Sequence, residues 1–202
     1  MPFIQCPINN EARPVFYTIT AVAPHVGVSW VVQKWAERFV AQNKKVLIFD
    51  ALLGLKNFPQ NYSISDKILK VLDGTLPLIN LVTSNQKGID VIAGIASQNL
   101  NATSLPNLER IKNDLQQLAL NYDVVLIDSP AAVITNVFQN FGNHVWVSNS
   151  NQAILLKTLR HISCDSEAKL IFNQVENETE YRNLYLFTKN LLPKCQLIEF
   201  FE

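Results

Sequence analysis

The chain has 202 residues, 48% of them hydrophobic, enough to bury a sizeable core without disulfides or metals. Charged residues make up only 17%, and 17 acidic side chains balance 17 basic ones, which removes any electrostatic case for nucleic acid or an anionic membrane as partner. Asparagine and glutamine, 21 and 12 in number, fill much of the polar surface instead.

From the amino end, Met1 to Cys6 carry no basic stretch and read as the start of a short arm over residues 1–14 rather than a leader. A single α/β domain is expected over 15–202. Strand-like apolar runs follow at Val15–Val22, Val46–Phe49, Ile89–Ala93, Val124–Ile127, His144–Val147, Lys169–Phe172 and Leu197–Phe201. Several lack alternation, as strands covered on both faces do. Between them lie helical patterns. Val28, Val31, Val32, Trp35, Phe39 and Val40 repeat at three- and four-residue spacing; Ser65 heads a short helix to Leu72, stopped by Gly74. Leu108, Ile111, Leu115 and Leu118 mark a third helix, and Ala153 to Ile162 a fourth. The alternation predicts a doubly wound, mostly parallel sheet of about seven strands with helices on both faces. Trp30 and Trp35 read as core, with Trp30 near enough to the first loop to meet a partner. No apolar run reaches the ~18 residues that a membrane span needs. Cys6, Cys164 and Cys195 are odd in number and far apart, the pattern of reduced, inert thiols in a cytoplasmic protein. His25, His144 and His161 share no metal-ligand spacing with them, so no metal is expected.

Residues 19–29, ITAVAPHVGVS, stand between a strand and a helix, where a phosphate-binding loop belongs. Such a loop uses glycine amides to wrap phosphate and a lysine to meet its charge. One glycine, Gly27, and the helix-start hydroxyl of Ser29 are present, while the lysine position holds Val28. Read structurally, Gly27 permits a tight turn and Ser29 caps the helix. Asp50 and Asp128, each closing a strand, would cap loop amides at the sheet's carboxyl edge, and Asn173 would satisfy backbone groups.

Three further segments, KVLIFDALLGLKN at 45–57, YDVVLIDSP at 122–130 and LIFNQV at 170–175, resemble the switch, the Walker B strand and the adenine-reading strand of the MinD/ParA class of deviant Walker ATPases. The Gly54 to Asn57 element and GIDVIAG at 88–94 are similar to the MinD/FlhG, flagellar-placement branch. The resemblance implies a P-loop NTPase-like fold and an inherited nucleotide site at Gly27, Ser29, Asp50, Asp128 and Asn173. It also marks departures. Ala23 stands where the family has its signature lysine, Pro24 and His25 where it has glycines, Val28 where it has the phosphate lysine, and Leu52 where it has the second switch aspartate. Pro24 has no amide hydrogen to offer a phosphate, and a β-carbon at position 25 disfavours the backbone geometry that glycine permits. Each lost lysine contact is worth about 1.5–3 kcal/mol, so two lower affinity by roughly two to four decades.

The expectation is therefore a catalytically inactive, MinD/FlhG-like interaction module that uses no cofactor. Its setting would be the spatial regulation or assembly of a bacterial polar structure such as the flagellum. It would act through protein partners, as a monomer or a nucleotide-independent dimer. The chain ends at Glu202, just past its last strand, so no direct membrane anchor is expected. Two alternatives stand beside it: an active ATPase with an unusual loop, and a docking subunit of a secretion, pilus or cellulose-export machine.

Overall fold

The computed structural model describes residues 14–51, 70–71, 73–92, 105–129, 141–162 and 169–201. Eight strands, β1 Val15–Thr20, β2 Val46–Asp50, β3 Val82–Ser84, β4 Asp90–Ile92, β5 Val124–Asp128, β6 Asn143–Ser148, β7 Lys169–Phe172 and β8 Gln196–Phe200, form one sheet in the order β3-β4-β2-β5-β1-β6-β7-β8. Every neighbouring pair is parallel except β3 with β4. Among the described residues four α-helices with defined bounds accompany them: α1 Val28–Ala41, α2 Leu105–Ala119, α3 Gln152–Ile162 and α4 Glu178–Leu191.

The fold class is as the sequence predicts, with one strand more. β3 is three residues long, follows a 3-10 turn at Leu78–Leu81, and pairs antiparallel at the sheet's edge. So short a segment carries too few positions to show a period. Of the helix expected from Ser65, Lys70 and Val71 are helical, and most of the remainder lies outside the described residues.

β2 and β5 are buried at every position because both faces of the sheet are covered. On one face Val31, Val32, Trp35 and Phe39 of α1 pack over Tyr17, Ile19, Ile48, Leu126 and Val145. On the other, Ile111, Leu115 and Leu118 of α2 meet Leu47, Phe49, Val125 and Ile127. Beyond them α3 and α4 cover Trp146, Leu170 and Phe172, and Cys195 is buried in that layer. Cys6, Cys164 and the expected arm lie outside the described residues, apart from the arm's last position, residue 14. Among the described residues no helix is long and apolar enough to cross a membrane.

α4 is absent from the sequence reading. Its apolar seam is narrow, with Tyr181, Leu184 and Phe187 packing inward while Tyr185, Leu186 and Leu191 face solvent. Its start was nonetheless legible. Asn177 accepts a hydrogen bond from the Glu180 amide at 2.9 Å, and Glu180 reaches back to the Glu176 amide at 2.7 Å, a variant of the capping box. Asn177→Ala should cost about 1 kcal/mol, read as a lower urea midpoint with an unchanged m-value.

Trp35 is buried core and donates its indole hydrogen to Glu199. Trp30 belongs to the edge of the same core: it meets Phe201 edge-to-face at 5.0 Å, and the Lys34 ammonium lies 5.4 Å from its ring centre.

Candidate functional site

Four central strands end side by side, in the order β2-β5-β1-β6, and their last residues are Asp50, Asp128, Thr20 and Ser148. Asp50 is the register partner of Asp128, which is also paired with Ile19. The loop leaving β1 and the two carboxylates therefore meet at the carboxyl edge of one parallel sheet, the place where open α/β sheets build their sites.

Gly27 closes this loop with φ 83° and ψ 30° and is itself the N-cap of α1, its carbonyl accepting from the Val31 amide at 3.0 Å. Ser29 is consequently the second residue of the helix and not its cap, a correction to the sequence reading. His25 holds φ 62° despite its β-carbon, so the loop keeps a left-handed backbone at a position where glycine would be easier. Pro24 and His25 are exposed, and Ala23 and Val28 are half-buried against the α1-side core. Leu52 lies outside the described residues.

The loop is stitched to the β6–β7 side of the sheet. Asn173, at the end of β7, donates its side-chain amide to the Val26 carbonyl at 2.8 Å. Gln174 donates to the His25 carbonyl at 3.3 Å and accepts from Asn149 at the same distance. From α3, the Lys157 ammonium reaches the Val22 carbonyl at 3.4 Å. Asn173 thus satisfies loop backbone, as its structural reading required. A β-carbon placed on Gly27 would stand 2.1 Å from the Asn173 amide nitrogen, so the glycine is required by close approach as well as by φ. Gln174 and Lys157 escape sequence reasoning because they reach the loop from 149 and 135 positions away, and Asn149 because it acts only through Gln174.

Asp128 behaves differently from expectation. It and Asp50 are both fully buried on the α1 face of the sheet. Neither oxygen of Asp128 accepts a hydrogen bond among the described residues. The nearby amides are already taken by backbone: Ala51 donates to the Asp128 carbonyl at 2.8 Å and Ser129 to the Ile19 carbonyl at 3.1 Å. Among the described residues, Asp128 therefore caps no loop amide. Burial pushes its carboxyl up to about 6; the neighbouring Ser29 hydroxyl pulls the other way, without reaching normal hydrogen-bond geometry. Among the described residues the buried hydroxyls of Thr20 and Ser148 likewise find no partner, whereas Thr18, two residues before Thr20, donates to the Phe141 carbonyl at 2.9 Å. Unpaired buried polar side chains are rare in folded chains, and among the described residues Asp128, Thr20 and Ser148 are three of them at neighbouring strand ends.

These residues fit a magnesium–nucleotide pair poorly. The carboxylates that would face magnesium are in place. Those for the phosphates are not: Val28 and Ala23 bring no charge, Pro24 brings no amide, and Asn173 is engaged by the loop. Among the described residues no three His, Cys, Asp or Glu side chains cluster closely enough to hold a metal.

No family model matches the chain. Among solved structures, MinD cell division protein from Aquifex aeolicus is similar over 92% of this chain and 80% of that one, with TM-score 0.71 and 19% identity. A plasmid partition protein from Borrelia burgdorferi bound to AMPPNP is similar over 93% and 84%, with TM-score 0.69 and 15% identity. Of curated proteins, the tyrosine-protein kinase ptk of Acinetobacter johnsonii is 30% identical over 124 residues, which is 60% of this chain and 17% of that relative. The chain has the fold of MinD/ParA-class P-loop ATPases.

Proposed function

We propose that the chain is a non-hydrolysing, MinD-fold interaction module in the spatial regulation or assembly of a bacterial polar structure such as the flagellum. The observation that supports it is the loop: it carries no lysine, and side-chain donors from Asn173, Gln174 and Lys157 tie its carbonyls to the sheet. A triphosphate placed there would face Asp50 and Asp128 with little positive charge between them. The flagellar setting rests on the likeness of the Gly54 to Asn57 element to the MinD/FlhG branch, and those residues lie outside the described ones.

The kinase-named relative favours a second reading, an enzyme that uses ATP through an unusual loop. Calorimetry separates the two. Affinity for ATP–magnesium is expected to fall roughly two to four decades short of a loop bearing both lysines. No phosphate should be released, and the sedimentation coefficient should not change with nucleotide. Micromolar affinity, or a monomer–dimer switch driven by ATP, would establish the enzyme instead. Restoring lysine at positions 23 and 28 should not recover turnover while Pro24, His25 and Leu52 remain.

A further inference from the structure

The sheet ends at β8, which among the described residues has a neighbour on one side only. Phe201 gives its amide to the Phe172 carbonyl and accepts the Val175 amide, so the amide and carbonyl of Phe200, one position earlier, point away from β7. An open edge of this kind is a template for another strand. Beside it lies α4. Of the five large apolar side chains left exposed among the described residues, three, Tyr185, Leu186 and Leu191, belong to that helix. Glu178, Arg182, Tyr185 and Lys189 follow one another at helical spacing and share one stripe. Their contacts fit this: Arg182 meets Glu178 at 2.8 Å, and the Lys189 ammonium lies 5.9 Å from the Tyr185 ring centre. The stripe runs along the β8 side of the helix. Lys189 donates to the Cys195 carbonyl at 2.7 Å, just ahead of β8, and Tyr185 adjoins Tyr181, whose ring stacks on Phe200 at 4.3 Å. In order the stripe is acid, guanidinium, ring, ammonium. Reversed against itself, it sets Glu178 opposite Lys189 and Arg182 opposite Tyr185. Lys189 gives two hydrogens to the Pro193 and Cys195 carbonyls, has a third to spare, and has no acidic partner among the described residues.

We propose that β8 and α4 form the interface of a symmetric dimer: two copies of β8 run antiparallel about a two-fold axis perpendicular to the sheet, and the two α4 stripes face each other. Glu178 meets Lys189 of the second copy, and Arg182 meets the ring of its Tyr185. The spacing fits. Tyr181 touches Phe172 on β7 and Phe200 on β8, so α4 lies over the seam between those strands. With strands about 4.8 Å apart, the two helices then stand about 10 Å from each other, a helix-packing distance. The level fits as well. With Tyr181 at Phe200 and Lys189 at Cys195, the middle of the stripe stands level with the middle of β8, so one axis serves both strand and helix. A net charge of zero leaves no long-range repulsion between copies. This edge is three strands from β1 and its loop, so the dimer does not depend on nucleotide.

Sedimentation of the full chain without nucleotide should show a dimer at micromolar concentration. Glu178→Lys and Lys189→Glu should each raise its dissociation constant about tenfold, because each sets like charges against one another twice across the axis. Mixed in equal amounts, the two variants should recover the native affinity, since both contacts of the mixed dimer again join opposite charges. A purely structural role for either residue would not give that recovery. Tyr185→Arg, which faces Arg182 of the second copy, should weaken the dimer as well, and it decides the matter if Lys189→Glu fails to fold. Exchange of the Phe200 amide hydrogen should slow as protein concentration rises. A monomer at every concentration overturns the proposal, as does a dimer that forms only with ATP–magnesium or one that ignores these substitutions.

Discussion

Asp128→Asn is expected to make the protein more stable at neutral pH. The carboxyl is fully buried without a hydrogen-bond donor among the described residues, and its proton leaves near pH 6 in the folded chain against 3.8 for an ordinary aspartate. Below the lower value both folded and unfolded chains hold the proton, and the group contributes nothing. Between the two values only the folded chain holds it, so stability falls as pH rises. Above the higher value the penalty is complete, at about 3 kcal/mol. An amide of the same shape has no charge to desolvate. The variant should therefore gain roughly 2–3 kcal/mol near neutral pH, or about 5–10 °C in melting temperature, and the gain should shrink toward zero on acidification to about pH 4. Denaturant melts across this range check it. A loss of stability at neutral pH would mean that the native carboxylate is paired.

The second large effect lies across the loop. Gly27→Ala should destabilise the fold by about 3–4 kcal/mol, in two parts. A left-handed backbone costs alanine about 1–2 kcal/mol. The rest arises because the added carbon would stand 2.1 Å from the Asn173 amide nitrogen and push it off the Val26 carbonyl. That strands a buried amide and carbonyl. The two parts separate in a double-mutant cycle: with Asn173→Ala already present, the Gly27→Ala penalty should fall to the backbone part alone. Additive costs in urea melts would show that the contact carries no energy.

The sheet was legible because strands covered on both faces must be apolar throughout, as VLIFD at 46–50 and VVLID at 124–128 are, save for the acid that closes each. α1 was legible because its seam is broad. β3 and α4 were not, the first being too short to show a period and the second too polar, although the Asn177–Glu180 signature marks where α4 begins. At the site, residue types pointed to the right edge of the sheet, but local reasoning failed on the loop. It gave Ser29 the cap that Gly27 holds, and it could not foresee that His25 would accept a positive φ. Asp128 finds no amide to cap among the described residues because those beside it, from Ala51 and Ser129, are already taken by backbone carbonyls. Asn173 was read correctly as a satisfied polar residue, while its loop partner is set by tertiary packing across 147 positions.

The stitching also changes how the loop meets its surroundings. A phosphate loop is held by charge, so salt and ligand concentration govern its order. Two of the three side chains holding this one are neutral carboxamides, Asn173 and Gln174, anchored at the end of a strand inside the sheet. Ionic strength has little purchase on them. The segment should open with the sheet it is fastened to, its amide protons exchanging on the timescale of global unfolding rather than of a free surface loop. Under the proposed function it would present the same face whether the cell is rich or poor in nucleotide: a constant address, where a switch would show two.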